Sequence, residues 1–332
     1  GLKLVKALDA ATTQSLCIAL GYNALTSLNH NDANGTIAIG YLAGEDITSG
    51  QYNTAVGYQA LKDTVDGNAN TALGYNALLV NTTGSNNTAL GYATLGGSQN
   101  VGDANTAVGS NALTNFNPDT DDHGHNTGLG YESGASLTTG TENTYVGSGA
   151  GYRNATGDNN TYIGYRAGLG NSGDSHTQNV AVGSRALEAI TTGGNNIAIG
   201  YQAGDALTTA SENIAIGYAA LGVADAGEGG NVVIGNEAGN AINNSGSDHN
   251  VIIGISAGQG GSGAMADCIA IGRDAMKSTS TSGQTGTIAI GARALEDLTS
   301  GTANVGIGYL ALANTTTGQN NVAIGYNAME TA

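Results

Sequence analysis

One five-residue phrase recurs eighteen times along this chain: a small polar residue, a β-branched residue, usually Ala, an aliphatic residue, then Gly. Asn53-Thr54-Ala55-Val56-Gly57 is one copy and Asn196-Ile197-Ala198-Ile199-Gly200 is another. A fixed period means one structural unit stacked on itself, and that overrides the two domains suggested by 332 residues. The phrase-ending glycines run from Gly21 to Gly325; nine of the seventeen intervals are 17 residues and the rest are 18 to 21. Positions are counted below from that Gly, so Asn53 stands at −4 and Tyr58 at +1. Residues 1–16 carry no repeat and read as a lead-in segment or cut end, with a helical turn or two. Residues 17–332 read as a single repeat domain.

The unit is predicted to be strand. Position −3 is β-branched in every copy and −1 is always Leu, Ile or Val, and side chains two apart share one face of a strand. The unit is also too short for a helical-hairpin repeat of about 34 residues. The expected fold is therefore all-β, a parallel β-solenoid (β-roll) of about 18 coils. The −3 and −1 side chains are expected to fill the core. The −2 Ala should lie outside with the small residue at +3, as a strip on which other chains pack. A second strand is expected after the corner Gly. Asn, in fourteen of eighteen copies at −4, predicts a ladder of stacked amides. Tyr follows the Gly in eleven copies and predicts a structural column.

Composition narrows the function. The net charge of −17 repels phosphate backbones and anionic lipid, which argues against nucleic-acid partners. No run of 18 apolar residues is present, so no membrane insertion is expected. A packing strip and open sheet edges predict self-association, with three chains around an axis as the natural closure.

The phrase, as in Asn213-Ile214-Ala215-Ile216-Gly217 and Asn321-Val322-Ala323-Ile324-Gly325, resembles the head-domain repeat of trimeric autotransporter adhesins and the similar repeats of phage tail-fibre proteins. The resemblance covers nearly the whole chain. It implies a left-handed parallel β-roll, a homotrimer and a role in attachment, extracellular on a virion or cell surface, with a host or cell-surface glycan or protein as partner. The adhesin repeat is usually nearer 14 residues, and neither the Tyr after Gly nor the Thr-Thr-Gly turn is its hallmark. The expected function is a structural, non-enzymatic fibre, foremost a viral tail-fibre segment, with a cell-surface adhesin or a self-assembling filament subunit as alternatives.

Sites are sought where the phrase breaks. The longest interval holds Phe116, Asp119, Asp121, Asp122, His123 and His125. Dense carboxylates could hold Ca²⁺ and the histidines a transition metal, but a solvated variable loop is the favoured reading, and no metal or other cofactor is expected. Position −2 becomes Tyr at Tyr145 and Tyr162, with Tyr152 between them. With Phe116, these are the receptor-binding candidates, set against simple packing between chains. Seven consecutive Thr at −3, Thr54 to Thr161, resemble the array of ice-binding solenoids; sharing a face with the −1 aliphatics, they are expected to point inward, which disfavours that function. No convergent carboxylate pair supports a polysaccharide-cleaving enzyme, so no catalytic residue is expected. Gly168-Leu169-Gly170-Asn171-Ser172-Gly173 matches G-x-G-x-x-G without a βαβ unit around it. Cys17 and Cys268 both fall at −4, about fourteen rungs apart, too far to bridge within one chain.

Overall fold

In the computed structural model the described residues are 4–5, 17–28, 35–97, 102–118, 124–171, 173–224, 227–240, 242, 246–260, 263–278 and 283–330. They form a parallel β-solenoid of about 16 turns with no helix among them. The chain divides into two compact units, 1–160 with 172–175, and 161–171 with 176–332.

Each rung contributes a three-residue strand over −3 to −1, and Met265–Ala266 and Gln284–Thr285 add a short parallel pair of their own. In the first unit the three-residue strands run from Ile18–Leu20 to Thr144–Val146, and in the second from Thr161–Ile163 to Val322–Ile324. Successive strands pair in parallel and in strict register: Thr54 faces Thr71, Ala55 faces Ala72, Val56 faces Leu73. Residues Leu4–Val5, where a helical turn was expected, instead pair antiparallel with Ile18–Leu20.

The facing of the strand is the reverse of the expectation. The −2 Ala is the buried residue (Ala38, Ala55, Ala72, Ala89), together with the small residue at +3 and the Leu at +4 such as Leu61 and Leu78. The −3 and −1 side chains lie half-buried or exposed on the outside. Where Leu stands at +4, as Leu61 and Leu78 do, the coil is so narrow that the −2 position beside it holds only a methyl group, Ala55 and Ala72. The bulky β-branched residues take the outer face, where their propensity still favours extended backbone.

That opposite wall is a run of turns in place of the expected second strand. Residues +2 and +4 are left-handed in every rung, as in Gln59 (φ 55°) and Leu61 (φ 51°). Left-handed backbone costs a non-Gly residue about 1 kcal/mol or more, and each conformer is held by inter-rung bonds such as Gln59 N–H to the Tyr41 carbonyl at 2.8 Å and Leu61 N–H to the Ala77 carbonyl at 3.1 Å. Where +4 is Gly, a larger neighbour fills the space: a Cβ on Gly44 would meet Ile47, and one on Gly204 would meet Leu207.

The Asn ladder forms and is buried. Along the ladder an Asn Oδ1 accepts the backbone N–H of the −4 residue of the next rung, as Asn53 does from Asn70 at 2.9 Å. Each Nδ2 donates to a turn carbonyl, as Asn70 does to Gly84 at 2.8 Å. A second polar column at −6, which the repeat did not announce, caps the turn: Gln51 N–H donates to Asn68 Oδ1 at 2.8 Å, Asn68 N–H to Ser85 Oγ at 3.1 Å, and Ser85 N–H to Asp103 Oδ1 at 2.6 Å.

Candidate functional site

With the strand turned this way, the outer face carries three columns at −3, −1 and +1. Because −3 and −1 are Thr, Val, Ile or Leu throughout, both columns are free of charge in a chain of net charge −17. The corner Gly at φ 126° to 145° then turns the chain, and the +1 residue stands just beyond the corner. In the first unit Tyr22, Tyr41, Tyr58, Tyr75 and Tyr92 stack ring on ring, with centroids 4.9–5.3 Å apart and planes within 11° of parallel. In the second unit Tyr201 stacks on Tyr218, and Tyr309 on Tyr326. The expected structural column of tyrosines is thus present, and it borders the uncharged face.

The residues singled out as recognition candidates fare otherwise. Phe116, Tyr145 and Tyr162 are fully buried, and Tyr152 is half-buried with Arg153 over its ring at 5.9 Å. The two tyrosines at −2 point inward because that position is the core. They fit because glycines make room: a Cβ on Gly151 would lie 2.5 Å from the Tyr145 ring, and one on Gly168 would lie 2.4 Å from the Tyr162 ring. The same packing accounts for the first glycine of the G-x-G-x-x-G match. Tyr at −2 in the same rung as Gly at +4 was therefore a readable sign of core filling. Tyr145 Oη accepts from Asn154 Nδ2 at 2.9 Å, and burial pushes its phenol pKa up.

Asp119, Asp121, Asp122 and His123 lie outside the described residues. His125 is exposed and left-handed (φ 60°), and its N–H donates to the Asp103 carbonyl at 3.1 Å. No group of three or more His, Cys, Asp or Glu among the described residues is placed to hold a metal ion. Cys17 and Cys268 are not in disulfides. Cys268 substitutes for Asn in the ladder: its N–H donates to Asn250 Oδ1 at 3.0 Å and its Sγ lies 3.3 Å from the Ala266 carbonyl, with burial raising the thiol pKa.

Sequence reasoning missed one buried titratable contact. His176 Nδ1 lies 2.7 Å from Tyr162 Oη, and burial lowers the imidazole pKa from 6.5 to about 4. The unfolded chain therefore binds a proton below pH 6.5 that the folded chain refuses until about pH 4. Stability from the neutral imidazole is complete above pH 6.5 and is lost as pH falls toward 4, by about 3 kcal/mol at 1.36 kcal/mol per pKa unit. Urea midpoints of the wild type should fall further between pH 7 and 4.5 than those of His176→Gln. Equal falls would show that this imidazole is not held neutral.

No family model, no curated protein and no solved structure matches the chain.

Proposed function

We propose that this chain is a structural, non-enzymatic fibre element that closes into a homotrimer through its outer −3 and −1 columns and presents an attachment surface outside the cell. The observation that carries this is the uncharged outer face of Thr, Val, Ile and Leu. In a chain of net charge −17, copies repel one another on every charged approach, and a neutral face such as Ile37, Ile39, Val56 and Leu73 lets them pack. The corrected facing moves the packing strip from Ala to these larger side chains, which bury more apolar area per rung. A left-handed coil, as in the adhesin and tail-fibre repeats that the phrase resembles, completes this reading, with a viral tail fibre as the first setting.

Sedimentation equilibrium is expected to give three times the 32.7 kDa chain mass, and a monomer would overturn the trimer. Leu73→Glu places a carboxylate on the exposed face. It should dissociate the oligomer while leaving the β-type circular dichroism spectrum in place.

A second reading draws on the outward Thr column. Thr54, Thr71, Thr88, Thr106, Thr127 and Thr144 stand in register on the outer face, where an inward direction was expected. An exposed, evenly spaced row of hydroxyl and methyl groups suits an ordered water surface. Thermal hysteresis of a monomeric protein would favour this reading, and its absence removes it.

A further inference from the structure

The +1 column has a gap. In the first unit it runs Tyr75, Tyr92, Ser110, Tyr131. The backbone keeps its register across the serine: Asn111 N–H donates to the Tyr92 carbonyl at 2.9 Å, and Glu132 N–H donates to the Ser110 carbonyl at 3.0 Å. Tyr92 and Tyr131 therefore stand two rungs apart, about 9.6 Å at the usual strand spacing, with only a hydroxymethyl between them. Exposure agrees. Tyr41, Tyr58 and Tyr75, stacked on both faces, are 41–45% exposed, whereas Tyr92, open toward Ser110, is 56% and Tyr131, between Ser110 and Ser148, is 54%.

The second unit repeats the pattern as Tyr165, Ser184, Tyr201, but there the space is taken. The Arg166 guanidinium lies over the Tyr165 ring at 5.2 Å and reaches Glu188, on the Ser184 rung, at 3.5 Å. In the first unit the matching positions are Ala93 and Thr114, which can form no such plug.

We propose that the Tyr92–Ser110–Tyr131 slot binds one ring of a neutral hexopyranose chain. The proposal rests on the attachment reading above and gives it a ligand class. Width decides the class. A flat aromatic ring needs about 3.5–4.0 Å on each side, so it would sit loosely between walls about 9.6 Å apart. A puckered sugar ring is thicker and turns C–H groups toward both walls, where the negative face of each phenol attracts them. Its hydroxyls lie around the rim, toward Ser110, Asn111 and Glu132. The net charge of −17 selects against anionic sugars.

The test is calorimetric titration of the full chain with cellohexaose, maltohexaose and mannohexaose at millimolar concentrations, with p-cresol as a flat aromatic probe. At least one sugar should bind. Ser110→Tyr, which completes the stack, should weaken that binding at least tenfold. Should Ser110→Tyr fail to fold, Tyr92→Ala, which removes a wall, carries the same expectation. The proposal falls if none of the three sugars binds, if the folded variant binds as well as the wild type, or if p-cresol binds and the sugars do not. Sedimentation of the same samples keeps the two readings apart, since a trimer that binds no sugar defeats the slot alone.

Discussion

Replacing Gly74 by Ala is expected to unfold the rungs around it, at a cost of more than about 4 kcal/mol, beyond the range of ordinary substitutions. Gly74 has φ 145°, and a Cβ there would lie 2.1 Å from the Gly91 carbonyl oxygen. That oxygen belongs to the backbone of the next corner, which has the same constraint against Gly109. Relief would require the rungs to separate, and separation breaks the Gly91 N–H bond to the Leu73 carbonyl at 2.9 Å. Gly173 is the control. Its φ is 84°, and nothing lies within 4 Å of its Cβ position, so Gly173→Ala should cost only the backbone strain, about 1–2 kcal/mol. Urea denaturation followed by circular dichroism measures both. Similar losses at the two sites would mean that close stacking of the corners is not what fixes glycine there.

The repeat phrase made the parallel register legible, because every rung offers the same residues to its neighbours. The Asn ladder and the corner glycines followed from the same regularity. Which face is inward was not legible from alternation alone. A period of two defines two faces, and choosing the larger apolar pair for the core is sound for a wide sheet. In a coil of 17 residues the width is set by the turn wall, where left-handed residues such as Gln59 and Leu61 bring the backbone close, and only Ala55 fits inside. The same constraint explains Tyr145 and Tyr162, which enter the core only beside Gly151 and Gly168. The −6 caps escaped notice because Asn68, Ser85 and Asp103 share an acceptor atom and no residue type. The break at Ser110 carries no signal until the tyrosines around it are known to stack.

Asn143→Asp should be strongly destabilising at pH 7 and should recover as the solution is acidified. Asn143 is buried. Its Oδ1 accepts from Asn160 N–H at 3.0 Å and Asn160 Nδ2 at 3.0 Å, and its Nδ2 donates to the Gly157 carbonyl at 2.9 Å and to Asn126 Oδ1 at 3.1 Å. A carboxylate has no proton for Gly157 or Asn126, so two acceptors would face a buried negative charge. Such a charge disfavours ionisation, so the folded pKa rises above the unfolded value of about 3.9. The folded state then holds a proton that the unfolded chain has released, and stability falls as pH rises through that interval. At pH 7 the cost should exceed that of Asn143→Ala. The alanine orphans the Asn160 N–H at about 1–3 kcal/mol and leaves the Gly157 carbonyl only the longer bond from Asn154 Nδ2 at 3.4 Å, independently of pH. Below about pH 4 the protonated aspartic acid can donate one bond and accept another, so its cost should fall below that of alanine. Urea midpoints of wild type, Asn143→Ala and Asn143→Asp across this range decide the matter. A constant ranking at every pH would show that the ladder position tolerates a solvated carboxylate, and with it that the column is not the dry amide stack on which the register depends.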